Sequence, residues 1–365
     1  MALVPLSEIA HRLQRLRAAM RRDRMSAAYL SSPPSVHYYS GFTGSDTVLL
    51  VTQRRSILIT DFRFQEEAES SATLARPLLW KKDPAQHAGL FVRKLGLNRL
   101  GFEEGALPVG QMTAMRKAAR GVRFIPWGKE ILKPRLVKSA WEIRSIQKAL
   151  RVAEASFMTA RKRLKAGVTE LEIANDLEFE MRRRGAVGAA FPSIVAMGPN
   201  TSRPHAHPGR RRLANDSLIL IDWGARVGFY NSDLTRTLFF GTIPAVWRDR
   251  YARVWEAQHI AIQSLAAGTS GAEVDEAARS HLRLHALDRR FGHSLGHGVG
   301  LEVHEGPRLS RLMKAELPTG AVVTVEPGVY FPGQGGIRIE DMILIRGKRS
   351  RVLSRLPRDW DSAQL

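Results

Sequence analysis

Apolar residues recur at Ile9, Leu13, Leu16 and Met20, the spacing of one helical face, so the chain is predicted to open with an amphipathic helix. Short β-rich runs follow at residues 27–30, 36–39, 47–52 and 56–60 and read as strands. The turn Gly41-Phe-Thr-Gly44 separates the second run from the third. Helical and strand-like stretches then continue to Phe124-Ile-Pro126, which predicts a small α/β domain over residues 1–133 with no evident catalytic cluster. Residues 134–138 read as a linker. From Ser139 a long helix begins whose apolar positions Ile143, Ile146, Leu150, Ala153 and Phe157 keep one face, and core packing is a sufficient reason for that stripe. Thr169 and Glu172 then form a capping box for a second helix ending near Gly185.

The pattern echoes itself about a hundred residues later. Ala166-Gly167 with Glu172-Ile173 recurs as Ala267-Gly268 with Glu273-Val274, and Ser270 with Glu273 supplies another capping box. Each copy is followed by a histidine-bearing region and then by two strand-like runs carrying acidic residues. Asp222 lies 56 residues after Ala166, and Glu326 lies 59 after Ala267. The order predicts a second domain, residues 134–365, built from two related α/β halves around a shared site.

In the first half, Leu218-Ile-Leu-Ile-Asp222 is a buried-type strand ending in a carboxylate, and the chain returns through residues 230–240 with Asp233. A hairpin centred between Val227 and Gly228 would set Asp222 opposite Asp233, with Cβ atoms about 4.5–5.5 Å apart. Two anions so placed repel unless a cation lies between them. In the second half, Val322-Val-Thr-Val-Glu326 and Gly336-Ile-Arg-Ile-Glu340, joined by the loop at 331–335, would set Glu326 opposite Glu340. Between the two lies Phe291-Gly-His-Ser-Leu-Gly-His-Gly-Val-Gly-Leu-Glu-Val-His304, too rich in glycine for a helix, since each interior glycine costs about 1 kcal/mol against alanine. Read as extended chain, His293 and His297 share a face, while His304 points away unless the chain turns or bulges. Gly296, Gly298 and Gly300 strip one side of this segment, so a ligand or another backbone can approach closely.

At 365 residues, with 44% hydrophobic and 25% charged, the chain has the composition of a soluble globular protein long enough for two domains. No apolar run approaches the roughly 18 residues of a membrane span, and the N-terminus lacks the basic and apolar regions of a signal peptide. A cytoplasmic enzyme is therefore expected. Having no cysteine excludes disulfides and thiolate metal ligands. The net charge of +21 raises the question of a nucleic-acid partner. The arginines, however, fall in short groups at 21–22, 182–184, 210–212 and 289–290, with no basic tail or RNA-binding motif, so a solvated basic surface is expected. Four carboxylates at strand ends beside a His-Gly segment, without thiolates, suit Mn²⁺, Co²⁺ or Zn²⁺. A Ser-His-Asp mechanism lacks its Gly-x-Ser-x-Gly elbow and would leave three carboxylates unexplained.

Five segments carry a resemblance: Asp222-Trp-Gly, Ser232-Asp-Leu-Thr-Arg236, Gly296-His-Gly-Val-Gly300, Val325-Glu-Pro-Gly-Val-Tyr330 and Ile337-Arg-Ile-Glu-Asp341. Together they resemble the pita-bread metallopeptidases, and within that group the Xaa-Pro aminopeptidases and prolidases. Pro204-His205-Ala-His207-Pro208 resembles the substrate-side histidine motif of the same proteins, and Tyr39-Ser-Gly-Phe-Thr-Gly-Ser45 is similar to the creatinase-type N-terminal domain. The resemblance implies an α/β (α+β) chain, a small α/β creatinase-like domain followed by a pita-bread catalytic domain of two pseudo-symmetric halves.

For the site, the resemblance implies two divalent metal ions, with Mn²⁺ expected and Co²⁺ or Zn²⁺ as alternatives. Asp222 would bind one, Asp233 and Glu340 would bridge both, and His297 and Glu326 would complete the other. Glu326 would relay the proton of the attacking water, His304 would stabilise the oxyanion, and His205 would stand near the scissile nitrogen. His293 would line the pocket for proline, and Arg338 would orient the metal carboxylates. His207 is open between a site role and a rim or core role. The complete ligand set argues against creatinase itself, whose site does without metals, and against the non-catalytic pita-bread proteins. The leading expectation is an Xaa-Pro aminopeptidase. The alternative is an Xaa-Pro dipeptidase, for which Arg308 is the candidate to hold the free carboxylate of the substrate. Peptides with an Xaa-Pro N-terminus are the expected partners, with no specific nucleic acid and no membrane, and a homodimer is the expected assembly.

Overall fold

The opening helix forms over Leu6–Arg22 and buries Ile9, Leu13, Leu16 and Met20, the face that the spacing predicts. The computed structural model describes residues 4–70, 74–80 and 83–365; Met1, Ala2 and Leu3, part of the stretch read for a signal peptide, lie outside the described residues. Contacts divide the chain into two units, Met1–Arg135 and Leu136–Leu365.

The first unit is built on a six-stranded sheet ordered Arg76–Leu79, Ser56–Thr60, Val48–Thr52, Ala27–Leu30, Arg99–Phe102, Arg123–Pro126. The strand Val48–Thr52 runs antiparallel to both of its neighbours, and the remaining pairs are parallel. Ala27–Leu30, Val48–Thr52 and Ser56–Thr60 are buried along their whole length, which explains their unbroken apolar reading. The run at 36–39, expected as a strand, is instead part of the helix Pro33–Ser40. There the start signal overrides β propensity: the Ser32 side chain accepts from the Ser35 N–H, and proline occupies the first helical position.

The stretch read as a linker, at the boundary of the two units, is ordered and hydrogen-bonded. Lys133–Leu136 is a 3₁₀ turn, and the Lys138 N–H donates to Gly320 O over 2.9 Å. The helices Ala140–Arg161 and Glu170–Arg183 follow; the second carries the capping box expected at Thr169 and Glu172, and the first has one as well, formed by Ser139 and Glu142. Next comes an antiparallel meander of Ile194–Met197, Ser217–Trp223 and Leu234–Phe240. The second half repeats the plan with helices Ala245–Ser264 and Gly271–Leu284, then a meander of Gly296–Gly298, Val322–Val325 and Asp341–Arg346. Glu305–Leu309 and Arg349–Val352 flank that second meander.

The echo persists in the backbone hydrogen bonds. Gly167 and Gly268 share a φ of +89°, a conformation that glycine adopts without steric cost. The Gly167 N–H donates to Leu213 O, and the Gly268 N–H to Leu317 O. In return, the Leu213 N–H donates to Val168 O and the Leu317 N–H to Thr269 O. One continuous apolar core, including Phe239, Val254, Val274, Leu282, Val323 and Ile343, packs the second pair of helices on its sheet. Among the described residues no helix is long and apolar enough to cross a membrane.

Candidate metal centre

Strand register brings the acidic residues together. Ser217–Trp223 and Leu234–Phe240 pair so that Asp222 faces Thr235 rather than Asp233, a correction to the expected hairpin. The turn lies one residue later than predicted, because Val227 stays in the ladder opposite Tyr230 and Gly228, at φ +61°, opens the turn. Moving a turn by one residue moves partners by two, which preserves the side-chain face, so Asp233 still reaches the site. In the second half Val325 pairs with Asp341 and Gly328 with Arg338, so Glu326 and Glu340 fall at matching positions between the two ladders. Glu340 is then tied to the first half: its N–H donates to Thr235 O at 3.1 Å, and Arg236 Nη1 donates to its carbonyl at 2.6 Å.

The glycine segment also behaves as a strand. A Cβ on Gly296 would lie 2.0 Å from Thr324 O, and one on Gly298 would lie 2.1 Å from Gly306 O, so it is neighbouring backbone that the bare face admits. The register shifts between His297 and Gly298, and the chain turns back to place the His304 ring 4.2 Å from that of His297. That bulge supplies the change of direction without which the two rings would face apart.

The result is a cavity of about 470 Å³ lined by every residue singled out from the sequence: His205, His207, Asp222, Asp233, His293, His297, His304, Arg308, Glu326, Arg338 and Glu340. Phe191, Pro192, Ile194 and Val303 give it an apolar wall. His297 Nε2 lies 3.3 Å from Glu326 Oε1 and 3.6 Å from Asp233 Oδ2. Asp233, His297 and Glu340 each offer a ligand atom within 4.8 Å of the other two. Asp222 Oδ1 and Glu340 Oε1 are buried without a hydrogen-bond partner. Orphaned carboxylate oxygens in a closed pocket are costly, and a cation is what would satisfy them.

The electrostatics tell the same story. Burial, then the charge of Asp222, push the Asp233 carboxyl well above its ordinary range; burial, then Asp233 and Glu326, do the same to Glu340. Burial also raises Asp222, against the pull of Arg338. Burial opposes charge on His297, yet the hydrogen bond and charge of Glu326, with Asp233, raise it to about 9. Burial would raise Glu326 as well, but His297 overrides it and holds the carboxylate down at about 2. His304 is lowered by burial and by the neighbouring His297, and His293 mainly by burial.

Several functional neighbours carry no signal strong enough to find from sequence. Thr235 Oγ donates to Glu340 Oε2 at 2.7 Å and accepts from Arg338 Nε at 3.1 Å. The Tyr330 hydroxyl lies 3.0 Å from His293 Nε2 and accepts from Arg338 Nη1 at 2.7 Å. Arg338 Nη2 reaches Asp222 Oδ2 at 2.6 Å. Thr324 Oγ accepts the His297 N–H at 3.1 Å. Thr235 and Tyr330 sit inside the recognised segments, and strand alternation puts Thr235 on the face of Asp233, but hydroxyls in strands are too common to stand out.

Two matching α/β halves converging on buried carboxylates and an imidazole, in a chain that opens with a separate α/β unit, define the pita-bread class of metallopeptidases. The chain belongs to metallopeptidase family M24, which matches residues 144–347, while residues 12–137 match the creatinase/prolidase N-terminal domain. It is 33% identical over 342 residues to an Xaa-Pro dipeptidase of Pyrococcus horikoshii, covering 93% of this chain and 95% of that protein. Its fold superposes with a TM-score of 0.93 on an Xaa-Pro dipeptidase from Bacillus anthracis, at 33% identity, covering 98% of this chain and 100% of the other. An X-Pro aminopeptidase from Thermotoga maritima gives 0.86 at 34% identity, covering 93% and 99%.

Proposed function

We propose that this metallopeptidase hydrolyses the peptide bond preceding proline and that its leading substrates are Xaa-Pro dipeptides. The carrying observation is the make-up of the cavity. Carboxylates and His297 line it together with apolar side chains that suit a pyrrolidine ring, and Arg308 lines the same space with no ion-pair partner among the described residues. A dipeptide presents its free carboxylate one residue beyond the scissile bond, where a guanidinium would receive it in a charge-assisted contact. The dipeptidases of Pyrococcus horikoshii and Bacillus anthracis among its relatives support this reading over the aminopeptidase that leads from sequence alone. The Thermotoga maritima structure keeps the aminopeptidase as the second reading.

The donors fit a pair of divalent ions, since four carboxylates face the buried pocket and two of their oxygens lack any hydrogen-bond partner. Asp222 would hold one ion, Asp233 and Glu340 both, and His297 with Glu326 the other. Oxygen and imidazole donors without thiolate suit Mn²⁺, with Co²⁺ and Zn²⁺ next. When bound, the ions supply Lewis-acid polarisation of the scissile carbonyl and make the attacking water acidic near neutral pH. Glu326, which lines the cavity beside His297, receives the proton of that water and passes it towards the leaving proline nitrogen. His304, kept neutral, donates a hydrogen bond to the carbonyl oxygen as negative charge develops there. His205 stands at the scissile nitrogen, and His293, fixed by Tyr330, lines the proline side. Arg338 orients Asp222 and keeps its own charge buried beside it.

The deciding experiment supplies the metal-loaded protein with matched Xaa-Pro and Xaa-Pro-Yaa peptides. Hydrolysis of the dipeptide with the tripeptide left intact supports the proposal. Ready cleavage of the tripeptide with the dipeptide refused would make the enzyme an aminopeptidase.

A further inference from the structure

We propose that Glu256, His281 and His285 form a second metal site, on the surface of the catalytic unit, that takes Zn²⁺ or a transition ion of similar preference. The i, i+4 histidine pair that the glycine segment cannot form is present on the helix Gly271–Leu284, where His281 and its C-cap residue His285 share a face. Their rings lie 5.0 Å apart. Helix Ala245–Ser264 packs alongside and contributes Glu256, so that the three residues each offer a ligand atom within 4.8 Å of the other two. His281 Nε2 lies 3.0 Å from Glu256 Oε2, close to the roughly 3.3 Å that separates two ligands of a tetrahedral ion with bonds of about 2.0–2.1 Å.

Two features favour a cation over a simple helix–helix hydrogen bond. The contacts of His281 and Arg253 both fall on Glu256 Oε2, which leaves Oε1 without a protein partner among the described residues. The cluster also sits at the C-terminal end of its helix, the negative pole of the backbone dipoles. Two imidazoles and one carboxylate leave a fourth position for water, and the half-exposed setting makes that position reachable. None of the three residues lines the catalytic cavity. An ion here would therefore clip two helices together rather than take part in peptide hydrolysis.

The test is equilibrium dialysis of the full chain against Zn²⁺, comparing wild type with His285→Ala and Glu256→Gln and counting bound ions. His285 is exposed and holds no helix–helix hydrogen bond, so its removal leaves the fold intact. Both variants are expected to hold one ion fewer per chain than wild type, to lose the part of the zinc-dependent rise in Tm that this ion provides, and to keep full Xaa-Pro hydrolysis. The readout is a difference, so it stands whatever number of ions the central site binds. Equal counts in wild type and His285→Ala, or a difference seen only at millimolar zinc, would overturn the proposal.

Discussion

The hydroxyl of Thr235 lies 2.7 Å from Glu340 Oε2, and because it accepts from Arg338 Nε its own proton is committed to that carboxylate. One small side chain thus sets the orientation of the carboxylate proposed to serve both ions and of the buried arginine at the same time. Thr235→Val keeps the shape but strips the hydrogen bond. Ligand-orienting partners of this kind typically contribute about 10–100-fold in metal affinity or activity. Metal titration of the variant is expected to show weaker binding by that order with an unchanged fold, and wild-type affinity would show that Thr235 only fills space.

His304 carries a different expectation. It stands edge-on against His297 and lies outside the proposed ligand set. His304→Ala should retain its metal content while kcat falls by about 10²–10³, the usual loss for one preorganised oxyanion donor. Metal analysis together with steady-state kinetics separates the two effects, and an unchanged kcat would make His304 structural.

Arg308 bears on substrate length. A charge-assisted contact to a free carboxylate is worth about 1.5–3 kcal/mol, so Arg308→Ala should weaken Xaa-Pro hydrolysis by about ten- to a hundredfold. Longer peptides carry their carboxylate elsewhere, and their kcat/KM should hardly change. An equal loss on both substrate lengths would assign Arg308 to something other than carboxylate recognition.

The pH dependence of stability follows from the crowded carboxylates. Asp233 and Glu340 are raised above their ordinary values of 3.8 and 4.5, and His297 is raised from 6.5 to about 9. With the ions chelated away, the folded chain holds more protons at these groups than the unfolded chain. The stability they contribute is complete at low pH and drains as pH rises through the raised values, for His297 between 6.5 and about 9. Glu326 has the opposite sign, contributing fully above 4.5 and losing its share as pH falls towards 2. Thermal melts in chelator should therefore show Tm falling as pH rises from above 6.5, where the lowered His293 and His304 are already neutral, towards about 9, and metal loading should flatten the slope. A chelated protein that is most stable at alkaline pH would contradict this picture.

Much was legible without coordinates, because it depends on periods and caps that are local. The opening helix, the helix start at Ser139, the capping boxes at Thr169 and Ser270, and the echo of Gly167 in Gly268 all belong to stretches of a few residues, where spacing and backbone preference act directly. The candidate ligands were legible for a related reason: a carboxylate ending an apolar strand conflicts with its surroundings, and that conflict shows in sequence. Tertiary structure decided what depends on partners distant in the chain. Residues 36–39 are the exception, a local misreading: the Ser32-Pro33 start just upstream commits them to a helix. Asp222 faces Thr235 because Val227 packs opposite Tyr230, and a choice of one residue in a turn is too small an energy to read from composition. The His297–His304 contact needed a bulge, and the bonds from Thr235 and Arg338 to Glu340 and Asp222 needed the two halves to meet. Sequence named the charged groups because burial makes them expensive one by one, whereas their geometry is a property of two sheets whose registers are set by packing between them.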